Sequence, residues 1–229
     1  VDLERNTRLL QEAVMAIRMI PMAVVFSRFP RMLRDLAGRL GKQIELHTIG
    51  EATELDKGMV EKITDPLTHL VRNSVDHGIE SPEERLARGK PAVGSITLSA
   101  EHKGGSIAIE VRDDGRGLNR DRIYRKAQER GLVAPEALLD DESICQLIFA
   151  PGFSTAAAVT NLSGRGVGMD VVKRNIVALR GSVDIASTEG AGTTVTVRLP
   201  LTLAIINGFQ VGIGKSVFVI PMDMVEECI

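Results

Sequence analysis

Three side chains able to hold a cation or meet a phosphate stand four residues apart in TDPLTHLVRNSVDHGIE: His69, Asn73 and His77. On a helix that spacing puts them on one face, and Asp76 joins them from beside Asn73. Leu70 and Val71 fall on the side expected to meet a core. Imidazoles and a carboxamide stacked along an otherwise apolar helix are costly unless they meet water or a ligand. Solvated helix faces usually carry Lys and Glu, so this choice of residues points to a site. An Asn carbonyl oxygen is a hard ligand suited to Mg²⁺, which keeps several waters and also takes phosphate oxygens.

Two glycine patterns follow. RDDGRGL sets Asp113, Gly115 and Gly117 directly after a strand pattern. A carboxylate ending a buried strand can accept a hydrogen bond from an exocyclic amine such as that of adenine. The glycines allow a tight turn and close approach of a base. Taken alone, the segment is equally an Asp-Gly turn. SGRGVGMD sets Gly164, Gly166 and Gly168 before a helix, where free backbone N–H groups and the helix dipole suit a phosphate. It is not a dinucleotide fingerprint, because a long loop rather than a strand leads into it. Gly214–Ser216 is not a P-loop either, since Phe209 stands where that motif needs glycine. Arg122 and Lys126, four apart, form a basic pair that is either a solvated face or a neutraliser of a triphosphate.

These groups need a scaffold. Leu3, Leu10, Ile17 and Val24 recur every seven residues, with Ala13 and Ile20 between them, predicting a helix over 3–29 that Pro21 and Pro30 kink or end. The seam serves either its own domain or a dimer. Gly38 and Gly41 close the next helical stretch, and 43–50 alternates as a strand. A helix is expected from about Leu55 to Gly78, interrupted at Pro66, and another starts at Ser81-Pro82. Residues 94–114 read as a hairpin turning at Lys103–Gly105. Helices are expected over 120–130, near 135–139 and over 142–149. A loop at 150–168, expected to be mobile when empty, precedes a helix ended by Gly181. A second hairpin turns at Glu189–Gly192, and strands of a further domain follow. The order implies an α+β fold, a mixed sheet with helices on one face.

Composition narrows the class. With 28 basic and 30 acidic residues and net charge −2, a nucleic-acid or membrane-surface binder is not expected. No run of about 18 apolar residues suggests membrane insertion. Two cysteines, Cys145 and Cys228, read as reduced and buried in a cytoplasmic protein. Glycine is frequent, 22 of 229 residues, while aromatics are 3% with no Trp. An adenine would therefore rest on aliphatic walls. The chain starts without Met and stops after a strand-like run, as expected of a piece of a longer protein.

Taken together and in order, these segments resemble the GHKL ATP-binding superfamily. The Asn73 helix matches its N box, Asp113–Gly117 its G1 box, Phe149–Thr155 its F box, Gly164–Gly168 its G2 box and Gly190–Thr194 its last glycine box. The water-hydrolysing branch carries a Glu four residues before the Asn. His69 stands there, so simple hydrolysis is not the expected reaction. HLVRNSVDHGIE, FAPGFST and SGRGVGMDVVK are similar to the chemotaxis histidine kinases. IRMIPMAVVFSRFPRMLRDLA resembles the end of their dimerisation helices, and LPLTLAIINGFQV the start of their SH3-like regulatory domain.

The resemblance implies a Bergerat two-layer α/β sandwich at 42–200, a dimerisation remnant at 1–41 and a truncated regulatory start at 201–229. It implies ATP and Mg²⁺ as cofactors and transfer of the γ-phosphoryl to a histidine on a separate phosphotransfer domain, for relay to response regulators. Asp113 would bind the adenine amine, with Gly115 and Gly117 beside it, and Asn73 the Mg²⁺. His69 and His77 would contact phosphates or orient the attacking group. Arg122 and Lys126 would neutralise the triphosphate. Ser163, Gly164, Arg165, Gly166, Val167 and Gly168 would form the lid. A coupling protein and chemoreceptors would act through the regulatory domain of a homodimer. His47 and His102 do not read as acceptors, so self-labelling is not expected. An ATPase of the same fold and a non-catalytic scaffold are the alternatives.

Overall fold

The computed structural model describes residues 18–134, 137, 139–153, 168–201, 208–213 and 216–221. The architecture is α+β. A five-stranded mixed sheet runs in the order β2 (Ile44–Ile49), β4 (Gly94–Lys103), β5 (Ser106–Asp113), β7 (Gly192–Pro200), β6 (Ser182–Thr188). Only β2 and β4 are parallel; the other pairs are antiparallel. Alternation decides which face is covered. Ile96, Leu98 and Ala100 face the core with Ile107, Ile109, Val111, Val195, Val197, Leu199, Val183 and Ile185, all buried. The opposite face carries half-exposed or exposed Thr97, Glu110, Arg112, Thr196 and Arg198. A sheet buried on one side needs one layer of helices, as the residue pattern predicts.

That layer includes α2 (Phe29–Leu40), α3 (Lys57–Asn73), α5 (Arg120–Glu129), α6 (Asp141–Gln146) and α7 (Met169–Ala178), with short α1 (Ala23–Phe26) and α4 (Pro82–Ala87). Met59, Val60, Ile63, Leu67, Leu70 and Val71 of α3 join the core at helical spacing. Pro66 lies inside α3 and does not interrupt it. The ring costs a hydrogen bond, but burial of the turns on either side outweighs that local loss. The Ser81 hydroxyl caps α4 and Gly41, at φ 63°, ends α2, as expected from their residue types.

The helix predicted over 3–29 is not continuous where it is described. Met19–Pro21 form β1, paired with β3 (Glu54–Asp56). Lys57 N–H donates to the Arg18 carbonyl and Arg18 pairs with Asp56 at 3.2 Å. Asp56 itself caps α3 through the N–H groups of Gly58 (2.8 Å) and Met59 (3.3 Å). The ribbon thus ties residues 18–21 to the helix that carries Asn73. Val24, assigned to the apolar seam, is exposed, and Pro30 lies in the first turn of α2, where a missing N–H costs nothing. Leu3, Leu10, Ala13 and Ile17 lie outside the described residues. The terminal strands appear as a hairpin of β8 (Gly208–Ile213) and β9 (Ser216–Pro221).

Gly192 sits at φ 121°, and a Cβ there would lie 2.0 Å from the Asp113 carbonyl oxygen. Gly105, at φ 77°, has open space. Gly105→Ala should therefore cost only the left-handed backbone penalty, about 1–2 kcal/mol. Gly192→Ala should cost clearly more, because backbone must move. Urea unfolding of the two variants checks the order; equal losses would contradict it.

Candidate functional site

The site begins where β5 runs out beneath the end of α3. Asp113 shares the core face with Val111 and Ile109, so its carboxylate points into the helix layer and is buried. It accepts hydrogen bonds from the Gly115 N–H at 3.0 Å, the Ser74 hydroxyl and the Thr193 N–H. Burial pushes its pKa above the ordinary carboxylate value and the Asp114 charge adds to that push, while the three donors oppose it. A Cβ on Gly78 would stand 3.0–3.1 Å from the carboxylate atoms, so the chain passes directly over this group.

Helix α3 ends in a way the sequence did not disclose. Residues Ser74–Gly78 form one π turn, closed by Ile79 N–H donating to the Ser74 carbonyl at 2.8 Å. Such wide turns concentrate at functional sites. His77 lies in that turn and is exposed, whereas His69 and Asn73 are half-buried. The turn is tied on both sides. Lys42 Nζ caps the carbonyls of Val75 (2.6 Å) and Asp76 (3.1 Å), and burial, with the Arg116 charge, lowers its pKa. The Gly78 carbonyl accepts from Arg116 N–H at 2.9 Å.

Asn73 reaches the second glycine region. Its amide nitrogen lies 3.0 Å from the Met169 sulfur, at the first residue of α7, and Gly168 is the N-cap of that helix. His69 is deprotonated more readily than a free imidazole because of burial first, then the Arg72 charge and His77; Asp76 and Asp170 oppose the shift. Its neutral ring keeps a lone pair for a cation or a proton. Among the described residues, no cluster of three or more His, Cys, Asp and Glu forms a self-sufficient metal cage. Ser163, Gly164, Arg165, Gly166 and Val167 lie outside the described residues.

Two expected groups meet protein rather than open space. A Cβ on Gly115 would stand 2.2 Å from the Gly78 carbonyl oxygen, and one on Gly117 2.3 Å from that of Thr188. These glycines let three backbones converge; the Gly190 N–H to Arg116 carbonyl bond, 2.7 Å, seals the contact with the β6–β7 turn. Arg122 and Lys126 lie on α5, behind its Asn119 cap. Among the described residues no hydrogen bond or ion pair joins either to Asn73 or Asp113. Phe149 and Phe153 are buried, with Lys173 and Arg130 over their rings at 5.9 and 5.8 Å.

The residues that sequence reading missed stand behind Asp113. Arg85 grips the Asp114 carboxylate with both guanidinium arms (2.7 and 3.1 Å) and reaches Glu80 at 3.2 Å and the Pro91 carbonyl at 2.7 Å. Lys90 Nζ reaches the carbonyls of Asp114 (2.8 Å) and Gly115 (2.7 Å) and the Glu80 carboxylate (3.1 Å). The side chains of Arg85 and Glu80 have no exposure. The charged run EERLARGK gives a signal of cations after a capped helix, but nothing in it says that they turn inward. Ser74 carried a signal only through its place beside Asn73.

A one-sided α+β sandwich whose helix end overhangs a buried strand-end carboxylate defines an ATP-binding domain of the GHKL class. The chain belongs to the family described as histidine kinase-, DNA gyrase B- and HSP90-like ATPases, whose model matches residues 62–203, more than half of its length. It is 61% identical over 226 residues to chemotaxis protein CheA of Salmonella typhimurium, covering 99% of this chain and 34% of that protein. The chemotaxis protein CheA of Bacillus subtilis is 49% identical over 229 residues, covering 98% and 34%. The sensor histidine kinase CheAY of Helicobacter pylori is 51% identical over 223 residues, covering 96% and 28%. The chain thus spans about a third or less of the relatives it matches. Among solved structures, the catalytic domain of histidine kinase ThkA superposes with TM-score 0.51 at 16% identity, over 80% of this chain and 95% of that one, a likeness of fold.

Two titrations follow. The folded pKa of Asp113 is raised, so above 3.8 the native state holds a proton the unfolded chain has released. Its contribution to stability therefore falls as pH rises from 3.8 through the raised value. The folded pKa of His69 is lowered, so the unfolded chain takes a proton first, and stability is lost as pH falls from 6.5 through the lowered value. Carboxyl and imidazole NMR titrations of the ligand-free protein should place Asp113 above 3.8 and His69 below 6.5. The reverse order for either group would contradict its assigned environment.

Proposed function

We propose that this chain is the ATP-binding catalytic core of a chemotaxis histidine kinase, which transfers the γ-phosphoryl of ATP to a histidine on a separate phosphotransfer domain. The observation that carries the reading is the buried Asp113 carboxylate beneath the π turn, on the same helix end that brings Asn73 to the start of α7. The identity to CheA proteins supports the same reading.

In this reading Asp113 accepts a hydrogen bond from the adenine amine. Its raised pKa fits a buried carboxylate that has no cation partner among the described residues. Asn73 offers its amide oxygen to Mg²⁺, since its nitrogen is turned to Met169. Neutral His69 supplies a second donor or orients the attacking imidazole, with exposed His77 at the rim. Among the described residues there are too few ligands for a full cage, which suits Mg²⁺ that shares its ligands with phosphate oxygens and water. That ion, when bound, neutralises charge on the triphosphate. Arg122, Lys126, Gly115, Gly117, Gly168 and the stretch Ser163–Val167 complete the nucleotide site. Transfer breaks the bond from the γ-phosphorus to the ADP oxygen and forms one to an imidazole nitrogen, a reaction that needs positioning and charge neutralisation more than covalent help.

The segments divide, on this proposal, into a dimerisation remnant at 1–41, the kinase domain at 42–200 and a regulatory start at 201–229. The partners are the phosphotransfer domain, response regulators, and a coupling protein with chemoreceptors, in a cytoplasmic protein that is a homodimer at full length. No helix among the described residues is long and apolar enough to cross a membrane.

The test mixes the 229-residue chain with Mg²⁺, γ-labelled ATP and a separate histidine phosphotransfer domain. Acid-labile label should appear on the added domain and not on this chain. Asp113→Asn should weaken ATP binding about 10–100-fold, the loss expected when a charge-assisted hydrogen bond goes. Steady phosphate release without acceptor labelling would point to an ATPase of the same fold, and absence of ATP binding in calorimetry to a scaffold.

A further inference from the structure

We infer that Arg85, with Lys90, is a positioning residue for nucleotide recognition, acting through the peptide that donates to Asp113. The inference rests on the reading that Asp113 receives the amine of the base. The relay is short. Lys90 Nζ holds the Gly115 carbonyl at 2.7 Å, and Gly115 N–H donates to Asp113 Oδ1 at 3.0 Å. Arg85 fixes the residue between them: both its arms hold the Asp114 carboxylate, and one reaches the Asp114 carbonyl at 3.2 Å. The Ser95 N–H donates to the same carboxylate at 2.9 Å, which ties the loop to β4.

Stability does not explain this arrangement. Arg85 and Glu80 are wholly buried, and buried ion pairs commonly contribute no more than apolar replacements of the same volume. What such a network supplies is geometry. The planar guanidinium fork fixes the angle of Asp114 as well as its distance, which the point charge of a lysine does not. Neither cation touches Asp113 itself. Each removes a freedom from the two residues that follow it, so the carboxylate keeps one orientation.

The experiment compares two ligands of the full chain by calorimetry: Mg-ATP, and the Mg²⁺ complex of purine riboside triphosphate, which lacks the 6-amine. Positioning of Asp113 affects only the first. Wild type should prefer ATP, and Asp113→Asn should abolish most of that preference. Arg85→Lys should lower the preference about 5–10-fold, nearly all of it from weaker ATP binding, and should add less than about 2-fold in the Asp113→Asn background. Lys90→Gln should act in the same direction and keeps the question open to a decision if Arg85→Lys does not fold. Equal weakening of both ligands, or additive effects in the double variant, would overturn the inference and leave Arg85 a purely structural residue. A wild type that shows no preference, unchanged by Asp113→Asn, would instead remove the assigned role of Asp113.

Discussion

The structure turns on a single buried carboxylate that has no cation partner among the described residues. Asp113 stands on the core face of a central strand, among positions otherwise occupied by Ile and Val. An ionised group there is expensive unless its lone pairs are filled. Three donors fill them: a hydroxyl from the helix layer, an N–H from the loop after β5 and an N–H from β7. Each comes from a different element, so β5, β7 and the end of α3 must converge to within a hydrogen bond of one point. The glycines follow from that demand. Gly78, Gly115 and Gly192 each leave room for another backbone or for the carboxylate itself.

A second charged assembly, fully satisfied, lies behind the first. Arg85, Lys90, Glu80 and Asp114 neutralise one another and hold the loop carbonyls. Burial alone would push the Glu80 carboxyl up; hydrogen bonds from the backbone and Lys90 and the charges of Lys90 and Arg85 reverse this and hold it below its ordinary value. The contrast between the two clusters is informative. In one, every acceptor meets a cation; in the other, a carboxylate is kept away from them and its pKa rises.

Much of this was legible in the residues. Alternation in Ile96–Ala100 and Ile107–Asp113 gave the hairpin and placed Asp113 on its inner face, because period two leaves no other choice. Ser81-Pro82 and Gly41 gave helix ends, since their preferences act locally. The misses are tertiary. Pro66 sits in an unbroken helix because packing on the sheet outweighs its local cost. Met19–Pro21 form a strand because a partner, Glu54–Asp56, lies across from them, and no periodicity within the segment reports that partner. The π turn at Ser74–Gly78 is invisible for a similar reason: it is held by Lys42 and Arg116, distant in sequence. The inward turn of Arg85 could not be read because an EERLARGK run looks the same whether solvated or buried.

The π turn also joins the two ends of the site. Helix α3 brings His69 and Asn73 to the N-terminus of α7, where the helix dipole favours negative charge. One wide turn later the same chain presents Ser74 and Gly78 to Asp113, where negative charge is disfavoured. Between Asn73 and Gly78 the surroundings change from a helix N-terminus, where negative charge is favoured, to a buried carboxylate, where it is disfavoured. The wide turn ends over the carboxylate, and Lys42 holds the carbonyls of Val75 and Asp76 within it. Lys42 directly follows Gly41, the left-handed cap of α2. The two hydrogen bonds of Lys42 thereby tie the end of α2 to the turn.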